Sequence, residues 1–437
     1  MTTSTSTSPR RRRFAGIASM ALVSVLALGG CGNSTDSTAA DATTSTSASA
    51  TASSGSVSSV STSSTTEDAT TTADTISDTA AAAQAFLDTL SEDQQETVLY
   101  AYDDETKTTS WSNFPVTFVQ RAGLDLADLT DEQQAAALEV LESLLSDEAY
   151  ETVTGIMNGD VYLHENSSST EASLGQYYIA FFGDPSDTGA FEVQFGGHHL
   201  GINATLDGSA DDGTGAITFA PTHLGVQPAV YTDEDGNEVQ PFDGIYTDAF
   251  AFFDSLTDEQ QATLTSGDVT MCAPGDTCDF TTGDGLTGAD LTGEQQDLLL
   301  DLIANWAGMA DEQTTATELA EIEATLDDTV IAWSGETTYD MSTGDGINFS
   351  ISGPNVYVAF QAQQGSAGAD VNGVSTSGWG HVHTIYRDPT NDYAGSVTQQ
   401  AASGMGGGDM GGTPPGDGGT PPGDGGTPPT DAPSSAS

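Results

Sequence analysis

Apolar residues recur at helical spacing in two stretches of the chain. Ala137, Leu138, Leu141, Leu144 and Leu145 form one stripe, and Leu298, Leu299, Leu302, Ile303 and Trp306 form another. Each stripe follows the same short signature, Leu129-Thr130-Asp131-Glu132-Gln133-Gln134 in the first case and Leu291-Thr292-Gly293-Glu294-Gln295-Gln296 in the second. The signature also occurs at Leu90-Ser91-Glu92-Asp93-Gln94-Gln95 and Leu256-Thr257-Asp258-Glu259-Gln260-Gln261. It has the form of a capping box. The hydroxyl accepts from an unpaired helix amide, the Gln three residues on reaches back, and acids in the first turn complement the helix dipole. These are structural helix starts, and two early and two late copies hint at an internal duplication. Between them lie strand-like segments at 177–182, 191–195, 330–333, 347–351 and 356–360. Asp235-Gly236 predicts a hairpin turn. The acids around it do not complete a calcium loop, because the twelfth position from Asp233 is Gly244. The pattern predicts an α+β fold, with helical clusters packed on mainly antiparallel sheet.

The flanks have a different composition. Residues 32–76 are nearly all Ser, Thr, Ala and Asp, with too little apolar surface to offset chain entropy. From Gly404 the sequence is rich in Gly and Pro, and Gly-Gly-Thr-Pro-Pro-Gly-Asp starts at Gly411 and again at Gly418. It reads as a disordered spacer. Before residue 31 come the basic block Arg10–Arg13, an apolar run from Phe14 to Leu28, and Leu28-Gly29-Gly30-Cys31. That order is an export signal ending in a bacterial lipobox. The run is short and Gly-broken for a membrane span of about 20 residues. The expected organisation is a signal peptide at 1–30, a lipidated Ser/Thr-rich linker at 31–76, a single large α+β domain at 77–400 and a disordered Gly/Pro-rich tail at 401–437. Acyl chains on Cys31 would anchor the protein to the outer face of the cell membrane. The arginines leave the export route open between the general and twin-arginine pathways.

Charge narrows the partners. The 437-residue chain carries a net charge of -58, and four of its seven bases are Arg10–Arg13. The exported chain keeps Lys107, Arg121 and Arg387 against 65 acids. Such a surface repels phosphate backbones and anionic headgroups, so nucleic acid is not an expected partner. The acidity itself reads as a solubilising surface. Outside the cytoplasm, Cys272 and Cys278 are expected to form a disulfide closing a short local loop.

The candidate chemistry lies in the histidines. His198 and His199 follow Gly196-Gly197, and His381 and His383 flank Val382. Strand side chains alternate faces, so His381 and His383 point the same way, a spacing suited to one metal. His198 and His199 point opposite ways unless a bulge re-aims one. One of them could complete a three-His set with a coordination position left open. Imidazole suits zinc, copper or iron. The alternative is that these rings hydrogen-bond buried carbonyls and acids. His164 is expected on the surface, and His223 at a strand end, the alternative being that it joins the cluster. Arg387 is expected to form a structural ion pair with Asp388 or Asp392, the alternative being an anion-binding fork. Asp388 or Asp392 could also orient a ligating histidine or act in acid–base chemistry. Arg121 is expected to be structural.

Several of these residues carry a resemblance. Trp111 through Pro115, Arg121-Ala122-Gly123-Leu124, Phe182-Gly183-Asp184-Pro185-Ser186, Gly197-His198-His199-Leu200 with Asn203, and His381-Val382-His383 through Arg387-Asp388-Pro389 with Asn391-Asp392-Tyr393 occur in order across roughly 85–395. Together they resemble the signature of the uncharacterised bacterial group named domain of unknown function 3500. His223 departs from it, since an aromatic is expected there. The resemblance implies the domain boundaries and draws attention to the His motifs, but implies no mechanism. Two functions follow as expectations. One is an extracytoplasmic metal-dependent enzyme, a hydrolase or an oxidase. The other is a non-catalytic cell-envelope module, structural or binding a wall polymer or envelope protein. No nucleophile elbow supports Ser or Cys catalysis.

Overall fold

The computed structural model describes residues 70–209, 214–264, 269–274, 280, 284–364 and 370–399. The signal, most of the linker, Cys31, Cys278 and the tail lie outside these residues. Each of the four repeated signatures starts a helix. Ser91, Thr130, Thr257 and Thr292 are N-caps with complete capping boxes, closed by Gln94, Gln133, Gln260 and Gln295. The helices in order are α1 (Thr72–Asp88), α2 (Glu92–Val98), α3 (Asp131–Leu144), α4 (Asp147–Asn166), α5 (Asp243–Ser255), α6 (Asp258–Gln261), α7 (Gly293–Ala307) and α8 (Glu312–Glu323). None of them is long and apolar enough to cross a membrane.

Eight long strands make the body of one sheet. They are β1 (Tyr177–Phe182), β2 (Ala190–Gly197), β3 (Leu200–Asp207), β4 (Thr222–Val226), β5 (Val330–Gly335), β6 (Ile347–Ser352), β7 (Tyr357–Ala362) and β8 (Val382–Arg387). Their order across the sheet is β1-β2-β3-β4-β8-β7-β6-β5, every neighbouring pair antiparallel. Short strands complete it, including Leu124–Asp125 against β1 and Leu286–Thr287 against β5. The expected α+β class with mainly antiparallel sheet is therefore what the chain adopts. The predicted hairpin also forms, with Tyr231–Thr232 paired to Glu238–Val239 around Gly236 at φ +88°.

The two halves repeat one plan. Each runs helix, short helix, short strand, two helices, a three-strand meander and a fourth strand. The fourth strands, β4 and β8, pair at the centre of the sheet. The signatures repeat their contacts too. Gln133 Nε2 donates to Thr89 O and Gln94 Oε1, while Gln295 Nε2 donates to Ser255 O and Gln260 Oε1. Each Gln ties its helix start to the short helix before it, which explains why the signature comes in pairs.

The two sheet faces differ. One is apolar, with Val193, Phe195, Ile202, Phe349 and Phe360 packed in a core with Val140, Leu141, Leu299 and Trp306 from the helices. The other carries Glu192, Gln194, Asn203, Thr205, His223, His383 and Arg387, all buried. Buried polar groups need partners, and segments folded over this face supply them. Lys107 Nζ donates to Glu192 Oε2 at 2.9 Å. Ser110 Oγ donates to Gln194 Oε1 at 2.5 Å, and Gln194 Nε2 donates to Asn203 Oδ1 at 2.6 Å. Trp111 Nε1 donates to Tyr393 Oη at 2.9 Å.

Lys107, Arg121 and Arg387 are only 0%, 5% and 2% exposed. The described surface thus has acids but no lysine or arginine facing water. Like charges repel across such a surface, and salt screens them over about 30 Å at 0.01 M but about 3 Å at 1 M. Raising NaCl between these limits should raise the melting temperature by about 5 °C or more, as read by circular dichroism. A flat or falling Tm would contradict this account of the charge.

Candidate metal centre

β2 ends at Gly197 and β3 starts at Leu200, so His198-His199 is the two-residue tip of a hairpin. His199 has φ +63°, a left-handed conformation that histidine adopts more readily than most residues. Strand alternation therefore does not govern this pair. The turn brings the rings of His198 and His199 to 3.7 Å between centroids, tilted by 31°. It also turns His199 towards the start of β8, where His381 and His383 share a face as strand alternation requires.

The three side chains converge through their Nε2 atoms. His199 Nε2 lies 3.1 Å from His381 Nε2, which lies 3.2 Å from His383 Nε2. Hydrogen bonding among neutral rings does not account for both contacts. A ring nitrogen carries either one proton or one lone pair, so the shared His381 Nε2 can satisfy only one neighbour well. A common cation satisfies all three. Metal–nitrogen bonds of about 2.0–2.1 Å at angles near 100° give separations close to those observed. The three ligand atoms lie within 4.8 Å of one another.

Burial prepares these rings as ligands. Desolvation pushes the His199 and His381 pKa values well below the ordinary histidine range and that of His383 down to about 3. Neighbouring imidazoles add to the effect in each case. Neutral imidazoles offer the lone pairs a metal needs.

Neighbouring groups contact His383 and the His199 backbone, while the Nδ1 atoms of His199 and His381 have no hydrogen-bond partner among the described residues. Asn113 Nδ2 lies 3.4 Å from His383 Nδ1, and turning the amide over would place its oxygen there. A ring ligating through Nε2 keeps its proton on Nδ1, and the oxygen end of that amide would then accept it. Asn113 O also accepts from His199 N at 3.3 Å. Asp160, 1% exposed, lies with Oδ1 2.5 Å from His198 Nδ1 and accepts from Gly175 N on Oδ2 at 2.6 Å. Asp160, His198 and His199 form a second tight group of ligand-type atoms sharing one residue with the first. Gly225 on β4 lies directly opposite His383. A Cβ there would come 2.9 Å from Val382 O and 3.3 Å from both His199 Cδ2 and His223 Nε2. The glycine is thus the floor on which His199 rests. Gly225→Ala should displace His199 and weaken metal binding at least about tenfold, the scale seen when a ligand loses its support. A competition titration with a metal chelator measures it, and unchanged affinity would remove this role.

The family described as "Protein of unknown function (DUF3500)" matches residues 72–395. The chain belongs to this family. No curated protein and no solved structure matches it. The match runs from α1 to the turn after β8 and includes all four histidines of the two motifs. It agrees with the resemblance read from those motifs.

Within this DUF3500 domain the remaining candidates take separate places. Arg121 donates through Nη2 to Ser112 O, Phe114 O and Gly197 O at 2.8, 2.6 and 2.7 Å, and through Nη1 to Val119 O. It fastens the Asn113 segment to the end of β2, a structural role. Arg387 pairs with Asp392 Oδ2 at 2.6 Å through Nη2 and donates to Cys272 O. Asp388 accepts from Thr390 N and Oγ1 at 2.8 and 2.9 Å. Arg387 is four residues beyond His383, about 13 Å along the strand. The carboxylate that reaches a histidine is instead Asp160, not Asp388 or Asp392. Sequence reading missed it, although a signal existed. Asp160 interrupts the buried face of α4 formed by Val153, Ile156 and Leu163, and a lone acid on an apolar helix face asks for a partner. His164 is exposed, as expected. His223 lies within β4 and outside the convergent trio, 5.8 Å from His383 between ring centroids. Cys272 is disulfide-bonded.

Proposed function

We propose that this DUF3500 protein is an exported lipoprotein whose domain binds one transition metal through His199, His381 and His383 and uses it in hydrolysis or oxidation. The observation that carries the reading is the meeting of three buried, neutral Nε2 atoms at 3.1 and 3.2 Å, which hydrogen bonds alone do not explain. Three protein ligands leave a coordination position for water or substrate, the arrangement of catalytic rather than structural sites. With zinc, bound water would serve as the nucleophile of a hydrolase; copper or iron would support oxidation. The Leu28-Gly29-Gly30-Cys31 lipobox and the Ser/Thr-rich linker support placement on the outer face of the cell membrane.

The test is metal content. The purified domain is stripped with chelator and reconstituted separately with zinc, copper(II) and iron(II), then analysed by plasma mass spectrometry. The proposal expects one ion per chain for at least one metal, surviving gel filtration. No bound metal in any case would overturn it.

A further inference from the structure

His223 is the histidine that the three-ligand centre does not use. It is 0% exposed, and among the described residues neither ring nitrogen has a hydrogen-bond partner. The Thr384 backbone is near enough to favour the charged ring slightly but makes no hydrogen bond of normal geometry with it. A phenylalanine would fill the same space without burying two polar atoms. An imidazole in that place needs a partner.

The ring lies beside the metal ligands. His223 and Gly225 lie on one face of β4, and Gly225 is opposite His383. His223 Nε2 and His199 Cδ2 each lie 3.3 Å from the point a Gly225 Cβ would occupy. His223 Nε2 therefore lies over Gly225 next to the His199 ring, and its ring centroid is 5.8 Å from that of His383. The space at the centre is narrow, with His199, His381 and His383 only 1%, 6% and 6% exposed. The nearby Arg121 guanidinium donates to backbone carbonyls through Nη1 and Nη2, while its Nε is buried without a hydrogen-bond partner among the described residues.

We propose that His223 hydrogen-bonds a small ligand held at the open position of the metal, of the size of hydroxide, dioxygen or peroxide. The inference rests on the metal reading above and deepens it by naming the class of molecule the centre accepts. In this role His223 contacts the bound molecule through a hydrogen bond and leaves the metal to its three ligands.

Azide, a three-atom anion with a charge-transfer band on copper(II), is the probe. The copper-loaded protein is titrated with azide in the native form and in His223→Phe and His223→Gln. The expected result is equal copper content in all three and an azide affinity at least about tenfold weaker in His223→Phe, the scale of one hydrogen bond. His223→Gln keeps a donor and an acceptor and should recover most of the affinity. Unchanged affinity in His223→Phe would overturn the inference, as would a glutamine variant that behaves like phenylalanine. Loss of copper from His223→Phe would also overturn it, by making His223 a ligand. Native protein that takes up no copper, zinc or iron would remove the metal reading itself.

Discussion

The His383→Ala variant should lose its metal under conditions in which the native domain holds one ion per chain. Three imidazoles make the centre, and the separations of 3.1 and 3.2 Å bring their Nε2 atoms together at one point. Complete metal sites contribute about 10–16 kcal/mol, so one ligand in three or four carries roughly 3–5 kcal/mol, or a factor of hundreds to thousands in affinity. His381→Ala should behave the same way, since its Nε2 contacts both partners. A linked effect follows on stability. Metal that binds only the folded chain raises stability by about 4 kcal/mol at a thousandfold excess over Kd. The native domain should therefore melt higher with metal, while the alanine variants should not respond. Full occupancy in either variant would contradict the ligand assignment.

The second large effect concerns the buried ion pair on the polar sheet face. Lys107 and Glu192 side chains are both 0% exposed and meet at 2.9 Å. Burial pushes the Glu192 carboxyl up, and Lys107 opposes that shift. Lys107→Met keeps much of the volume but leaves the carboxylate without its cation, with only the Thr205 hydroxyl donating at 3.2 Å. Removing one partner of a buried pair costs about 3–5 kcal/mol, a large share of the roughly 5–15 kcal/mol that a domain possesses. Replacing both, as Lys107→Met with Glu192→Gln, should recover most of the loss, because the penalty lies in the unpaired charge. Urea unfolding of the single and double variants measures this. A single variant within about 1 kcal/mol of native, or a double variant no better than the single, would show that the pair is not isolated from water.

The helix starts were legible because a capping box is local. Thr130 and Gln133, or Thr292 and Gln295, are three residues apart and settle their own geometry. The strands were legible as segments, but their order was not. Pairing β4 with β8 joins residues about 160 apart, and no local pattern encodes that. The polar face was likewise hidden. Glu192 and Gln194 alternate with Phe191, Val193 and Phe195 as they would in a strand with one wet face, yet Lys107 and Ser110 come over from a distant segment to cover them. At the site, His381 and His383 could be assigned to one side by strand alternation alone. The choice between His198 and His199 could not be made, because it depends on a left-handed φ at a turn. The Arg387–Asp392 pair was legible because its partners are five residues apart.

The central claim is that His199, His381 and His383 share one cation. X-ray absorption at the metal edge of the reconstituted domain, compared with the His381→Ala and His383→Ala variants, tests it most directly. The account predicts a first shell containing three imidazole nitrogens at about 2.0–2.1 Å in the native protein and loss of that shell in the variants. A bound metal surrounded only by oxygen, or an imidazole shell that persists without His381 and His383, would contradict it.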